Sequence, residues 1–313
     1  MNVASIDLGS NSVILLIVKY DKDIQSIISF RDYYTTPRIS ENVSQTGIIS
    51  SEAIFRLTKV LSDFYKIINE NECESVLVNA TNTFRIAENS SAVKKNLEDK
   101  FNWNISIITG EEEARLSYLG TVIPLYKNCT SLLIDIGGGS TEFIVGAGLK
   151  IHFSKSIQLG VVTLHEQFPM SLTSEESSIQ KAEKFIISKL HELDFKIGNN
   201  LTALAVAGTP TTLSAIAHNV KSYSNELVDN TILELEKITA IRDRLLQLSY
   251  AEMRNEFGDV VAGREELIAG GSLILETIMK YFQIKKIIVS TKGLRYGAVY
   301  DYLIKHNLYE INS

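Results

Sequence analysis

Residues 132–145 read LLIDIGGGSTEFIV. An apolar run ends in Asp135, glycines occupy 137, 138 and 139, and Ser140, Thr141 and a second acid, Glu142, precede another apolar run. Two apolar runs of strand length around a glycine-rich bend predict a β-hairpin. An ordinary hairpin turn needs one or two glycines and no acids. Three glycines remove side chains from the bend, so backbone N–H groups can approach a ligand closely. Successive N–H groups in a bend form a concavity that takes anions. The hydroxyls of Ser140 and Thr141 add donors, and phosphate is the natural guest. Carboxylates repel phosphate unless a cation joins them, and Mg²⁺ prefers oxygen ligands and bridges to phosphate. A hairpin brings the strand-end Asp135 and the returning Glu142 near one point. The stretch therefore reads as a phosphate loop flanked by metal ligands, against the plainer reading of a glycine-rich hairpin with solvated acids.

A second copy favours the first reading. Residues 6–17, IDLGSNSVILLI, align without gaps on residues 134–145, IDIGGGSTEFIV. Ile6 matches Ile134, Asp7 matches Asp135, Gly9 matches Gly137 and Ser12 matches Ser140, an offset of 128 residues in a chain of 313. Self-similarity at about half the length predicts two similar domains facing each other. The pattern is not a GxGxxG opening a helix, which excludes a Rossmann site. No GK[ST] follows, which excludes a Walker A loop.

Outward from the two hairpins, strands alternate with helices. Strands fit 2–8, 12–20, 24–32, 75–80 and 105–108 in the first half. They fit 131–136, 142–148, 151–156, 201–207 and 286–290 in the second. Helices fit 51–69, about 90–100, 110–120, 174–194, 210–220, 234–248, 263–281 and 294–305. Ile54, Leu57, Leu61, Phe64, Tyr65 and Ile68 recur at helical spacing, and Ser50 or Ser51 can cap their helix. This alternation predicts an α/β fold with mixed sheets. The run 174–194, of mixed charge, reads as a solvated helix. Ile268, Leu273, Leu275, Ile278 and Met279 read as core.

The composition is 45% hydrophobic and 22% charged, which suits a globular protein with a sizeable core. A net charge of -6 provides no general field for a nucleic-acid backbone. Two cysteines, Cys73 and Cys129, form neither a metal motif nor a disulfide framework and suit a reducing compartment. The opening MNVASIDLGSN lacks a signal peptide's basic start. VILLIV (13–18) is too short to span a bilayer. The expectation is a cytoplasmic protein with no membrane or nucleic-acid partner. The five histidines form no cluster and are assigned no chemistry.

The paired hairpin loops resemble the phosphate loops of the acetate kinase, sugar kinase, Hsp70 and actin superfamily. Within it, the chain resembles the exopolyphosphatase and guanosine pentaphosphate phosphohydrolase (Ppx/GppA) family. The resemblance runs nearly end to end. It rests on DLGSNSVILLIV (7–18), ATNTFRIAEN (80–89), ITGEEEARLSYLG (108–120) and IDIGGGSTE (134–142), with weaker late blocks VAGTPTTLSA (206–215) and GLRYGAVYDYL (293–303). It implies two duplicated RNase H-like, actin-like ATPase domains with mixed sheets around a central cleft. One would be 1–122, with the helix of about 293–313 returning to it, and the other 123–292. The chain resembles the short form that lacks a helical region similar to an HD domain.

The resemblance also implies roles. Glu113 would be the general base that activates water, although by residue type alone Glu111 and Glu112 remain candidates and acids in a helix's first turn are ordinary dipole partners. Arg85 would grip phosphate with its planar fork. Ser10, Asn11 and Ser12 in one loop, and Gly138, Gly139, Ser140 and Thr141 in the other, would form the phosphate cradle. Asp135 and Glu142 would hold Mg²⁺, or Mn²⁺ in its place, with Asp7 acting through water. Gly208 and Thr209 would line the cleft, where Pro210 weakens a nucleoside pocket. Arg38 lies in PRISEN, where the family has Arg-Leu-Gly, and is left without a role. Arg264 and Lys292 read as plain surface charges more than as contacts for a polyanion. The implied activity is Mg-dependent release of terminal orthophosphate from inorganic polyphosphate, guanosine pentaphosphate, or both, by a homodimer. The alternatives are a phosphotransferase to ADP or another acceptor and an alarmone-binding regulatory sensor.

Overall fold

The computed structural model describes residues 1–24, 26–125, 129–171, 175–195 and 201–309. The chain divides into two compact units, 1–125 with 293–313, and 126–292.

The first unit opens with a meander of β1 (Asn2–Leu8), β2 (Val13–Asp21) and β3 (Ser26–Thr35). Then follow α1 (Val43–Thr46), α2 (Ser51–Glu70), β4 (Ser75–Ala80), α3 (Asn82–Ile86), α4 (Ser90–Phe101), β5 (Ile105–Ile107) and α5 (Gly110–Leu125). The sheet order is β3-β2-β1-β4-β5, with β4 parallel to both β1 and β5. The Ser50 hydroxyl accepts from Ala53 N at the start of α2, satisfying one orphan amide. Ala53, Leu57, Leu61, Phe64 and Ile68 then form one buried stripe on that helix. The stripe shares a core with Ala4, Ile6 and Leu8 of β1 and with Val93, Leu97 and Phe101 of α4.

The second unit repeats the plan. β6 (Thr130–Ile136), β7 (Thr141–Ala147) and β8 (Lys150–Ile157) form the meander. They are followed by α6 (Val161–Gln167), α7 (Glu176–Leu190), β9 (Thr202–Val206), α8 (Gly208–Ala217), α9 (Asn225–Val228) and β10 (Thr231–Glu234). Next come α10 (Leu235–Leu245), α11 (Tyr250–Phe257), a 3-10 turn at Gly258–Val261, α12 (Ile268–Tyr281) and β11 (Lys286–Val289). The sheet order is β10-β11-β9-β6-β7-β8. Read from β8, it matches the first sheet strand for strand, with β10 added at the far edge. The hairpin registers match as well: Leu8 faces Val13 and Ile136 faces Thr141, each pair 128 residues from its counterpart.

The last helix, α13 (Leu294–Lys305), returns to the first unit. Its Tyr296, Val299 and Leu303 cover the sheet face of Val3, Leu16 and Val18. It meets α5 backbone to backbone. A β-carbon on Gly297 would collide with the Leu116 carbonyl oxygen, and one on Gly120 with the Gly293 carbonyl oxygen. Neither collision can be relieved by a rotamer change, because the obstacle is main chain. Gly297→Ala is therefore expected to destabilise the protein by more than about 2 kcal/mol despite alanine's better helix propensity, which calorimetry would show as a clear fall in Tm.

Two sequence expectations are corrected here. The helix expected over 174–194 runs Glu176–Leu190, and residue 174 lies outside the described residues. It is not solvated all round, because Ala182, Ile186 and Leu190 are buried in the core of the second unit. Periodicity also passes over β10, whose four residues become a strand only by pairing with β11. It passes over α1, α3, α6, α9 and α11 too, each only a turn or two long. The stripe Ile268, Leu273, Leu275, Ile278 and Met279 is buried in α12. No helix among the described residues is long and apolar enough to cross a membrane.

Candidate active site

The first loop, 9–12, links β1 to β2 at the end of the sheet. Its carbonyls are tied to the protein: Ser40 N donates to Ser10 O and Arg38 N to Asn11 O, each at 3.0 Å. Within a trans peptide, the C=O of one residue and the N–H of the next point in opposite directions. Tying these carbonyls therefore turns the N–H groups of Asn11 and Ser12 the other way. Among the described residues, the Ser10, Asn11 and Ser12 amides donate to no backbone carbonyl. Side chains brace the loop as well. Thr83 Oγ1 donates to Ser10 Oγ at 2.9 Å, and Ser12 Oγ lies 2.6 Å from the Tyr34 hydroxyl.

The second loop uses the same stereochemistry with a different anchor. Gly137 N donates to Ser140 O at 2.9 Å and closes the bend. Val161 N donates to Gly137 O at 3.0 Å, and Val162 N and Thr163 N donate to Gly138 O at 2.8 and 3.3 Å. The orphan amides at the start of α6 thus hold the loop's carbonyls, and the amides of Gly138 and Gly139 face away. The approach is so close that a β-carbon on Gly160 would collide with the Gly138 carbonyl. Thr141 Oγ1 donates to Leu159 O, so Thr141 fixes the loop from within the protein.

The acids of the second hairpin face each other. Asp135 is directly opposite Glu142 across β6 and β7, a position in which both side chains share one sheet face and like charges destabilise. Glu142 is 1% exposed, and Ser156 Oγ on β8 donates to its Oε1 at 2.6 Å. A buried carboxylate facing a half-buried one is a donor set that a hard divalent cation takes, and Mg²⁺ is commonly held by one or two carboxylates plus substrate phosphates. The residues therefore fit such an ion. No group of three or more His, Cys, Asp or Glu among the described residues is arranged to hold a metal. In the first hairpin the corresponding register pairs Asp7 with Ile14, so only one acid stands there, next to Asn79 of β4.

The three consecutive glutamates of α5 take three environments. Glu111 is exposed. Glu112 accepts from Arg115 Nε and Nη2, each at 2.7 Å, and Arg115 reaches Asp301 of α13 at 2.9 Å. Burial pushes the Asp301 carboxyl up, but hydrogen bonds from Arg115 and Lys305 outweigh it and hold the group below its ordinary range. Glu113 accepts from Arg85 Nη1 at 2.6 Å, with the side chains 14% and 19% exposed respectively. Arg85 Nη1 also donates to Ile108 O at 3.0 Å. The fold thus joins the two residues expected to be catalytic, from α3 and α5. Among the described residues, Nε and Nη2 of Arg85 have no protein partner.

Gly208 is the first residue of α8, and Thr209 behind it is buried. Ala207, before them, has a left-handed φ of 76°. The guanidinium of Arg264 lies directly on Gly208, where any β-carbon would collide with it. Lys292 Nζ donates to Asp229 Oδ2 at 2.6 Å. Neither is the plain surface charge suggested by the sequence: Arg264 packs on the Gly-Thr block, and Lys292 is a partly buried partner of Asp229. Arg38 has a left-handed φ of 51° and serves the first loop through its amide. Sequence reasoning missed Ser156, which faces Glu142 only through the β7–β8 register.

The family model for the Ppx/GppA phosphatase family matches residues 17–306. The chain is 31% identical over 310 residues to a protein of Fusobacterium nucleatum named bifunctional 3-dehydroquinate synthase/phosphatase, matching 95% of this chain and 46% of that one. It thus spans about half the length of that relative. It is 26% identical over 299 residues to a putative exopolyphosphatase of Haemophilus influenzae, covering 96% of this chain and 90% of that one. A crystal structure of an Aquifex aeolicus member of the Ppx/GppA family superposes with a TM-score of 0.80 at 29% identity, covering 98% and 99% of the two chains. The two mixed sheets with their helices are accordingly an α/β fold of two actin-like domains.

Proposed function

The chain belongs to the Ppx/GppA phosphatase family, and from that premise we propose that it is a phosphohydrolase releasing terminal orthophosphate from inorganic polyphosphate, guanosine pentaphosphate, or both. The observation that carries this reading is the Arg85–Glu113 pair. It supports Glu113, rather than its two neighbours, as the carboxylate aimed by a phosphate-binding cation. In the proposed reaction, Glu113 accepts a proton from water as the water oxygen bonds to the terminal phosphorus. The anhydride P–O bond breaks, and orthophosphate leaves with the chain shortened by one unit. Arg85 orients Glu113 through Nη1 and offers Nη2 to phosphate oxygens. The outward amides of Asn11 and Ser12 stabilise charge on the transferring group, and those of Gly138 and Gly139 offer the second unit's own anion cradle. Asp135 and Glu142 would hold Mg²⁺ or Mn²⁺, which supplies charge neutralisation at the phosphate oxygens when bound. Arg264, whose guanidinium lies on Gly208, offers a cation at the Gly208–Thr209 block.

The direct test is phosphate release with Mg²⁺, comparing polyphosphates of several lengths with guanosine pentaphosphate and ATP. The expected result is orthophosphate release from at least one of the first two, with ATP a poor substrate, and loss of activity with excess EDTA. Formation of ATP from polyphosphate and ADP without orthophosphate would overturn the hydrolase in favour of a phosphotransferase.

A further inference from the structure

The first loop depends on residues 36–42, which form a strap over it. Ile39 plugs the strap into the core of the first unit at 0% exposure. On either side of it, Arg38 N and Ser40 N hold the carbonyls of Asn11 and Ser10. The strap's backbone is unusual, since Arg38 and Asn42 have φ of 51° and 59°. Asparagine takes this left-handed region readily, but an arginine populates it sparsely. Such conformations persist only where surrounding contacts over-determine them. The second loop needs no strap because the start of α6 holds its carbonyls.

Arg56 supplies the contacts that over-determine the strap. It projects from α2, and its Nε donates to Pro37 O at 2.7 Å. Its Nη2 donates to Arg38 O at 3.1 Å and to Glu41 Oε2 at 2.8 Å. One planar fork therefore fixes two consecutive strap carbonyls and a strap side chain. The Arg38 carbonyl belongs to the peptide just after the left-handed residue. Only a guanidinium spans these acceptors with fixed geometry, since an ammonium is a point donor on a flexible stem.

We propose that Arg56 is a positioning residue for substrate phosphate, acting through the strap on the amides of the first loop. This rests on the reading of that loop as a phosphate cradle. The chain of action is Arg56 to the Pro37 and Arg38 carbonyls, the Arg38 and Ser40 amides to the loop carbonyls, and the Asn11 and Ser12 amides to phosphate. A loop relaxed at its carbonyls presents its amides at the wrong angle, so substrate binding weakens while the Arg85–Glu113 pair is untouched.

The test is steady-state phosphate release from a polyphosphate of defined length, with Mg²⁺, for the full-length wild type, Arg56→Ala and Arg56→Lys. Both variants are expected to raise KM on the order of tenfold with kcat within about threefold. The lysine variant keeps the charge, so its KM should have the wild-type dependence on ionic strength. If Arg56→Lys restores the wild-type KM, Arg56 acts by charge alone and the proposal falls. It also falls if both variants lower Tm but leave KM unchanged. Should Arg56→Ala fail to fold, the lysine variant decides. A wild type that turns over normally alongside unaffected variants sinks only the role of Arg56, whereas a wild type that releases no phosphate sinks the phosphohydrolase reading with it.

Discussion

Glu113→Gln should lose about 10³-fold in kcat for phosphate release, ~4 kcal/mol of transition-state stabilisation, while binding polyphosphate within about threefold of wild type. The substitution is nearly isosteric. A glutamine oxygen can still accept from Arg85 Nη1, and Ile108 O still holds the same nitrogen. What disappears is the negative charge that, in the proposed reaction, accepts a proton from the attacking water. Removal of a group used only in the transition state lowers kcat and kcat/KM together. Glu112→Gln is the matched control, because its carboxylate engages Arg115. That variant should retain kcat within about tenfold. Phosphate release and equilibrium binding measured side by side decide the matter. Near-normal turnover in Glu113→Gln would show that another group is the base, and a collapse in Glu112→Gln alone would move the role one residue along.

Glu142→Gln should produce effects of opposite sign on activity and on metal-free stability. Without a divalent ion the wild type carries Asp135 and Glu142 face to face, with Glu142 almost fully buried. Facing like charges cost roughly 0.5–1 kcal/mol, so the amide should raise Tm slightly in EDTA. Its oxygen can accept from Ser156 as Glu142 does, and its NH2 can donate to Asp135. Added Mg²⁺ should then stabilise the wild type, since an ion that binds only the folded state contributes RT ln(1 + [L]/Kd). The variant should gain little and fall by at least about 10²-fold in phosphate release. Calorimetry with and without Mg²⁺, paired with the activity assay, reads both signs. An equal Mg²⁺-induced rise in Tm for the two proteins would place the ion elsewhere.

Much of this molecule is legible along the chain because its signals are local. An apolar run with a bend shows a hairpin wherever it packs, and IDLGSN and IDIGGG show the duplication by their likeness alone. The structure bears this out with the same strand order and hairpin register in both sheets. The third strand is expected at 24–32 and runs Ser26–Thr35. The long helices announce themselves by a period of 3.6, and Leu57, Leu61, Phe64 and Ile68 of the expected α2 stripe are buried, whereas Ile54 is only partly buried and Tyr65 is exposed. Short elements escape, since the four residues of β10 form a strand only because β11 lies beside them.

The site divides along the same line. Residue type and spacing determined which loops offer amides and hydroxyls and which hairpin acids stand beside them, whereas Arg85 and Glu113 stood out only through the family resemblance. They could not separate Glu111, Glu112 and Glu113, because three identical side chains in one helical turn have identical local signals. Tertiary structure separates them by environment: Glu111 is exposed, Glu112 engages Arg115 and Glu113 engages Arg85. Nor could sequence show that Asp135 opposes Glu142 while Asp7 opposes Ile14, since register belongs to a pair of strands. It was silent on Arg56, whose work is done on carbonyls 18 and 19 residues away. Local chemistry is written in the chain; which side chain meets which partner depends on directions in space, and only the packed fold supplies those.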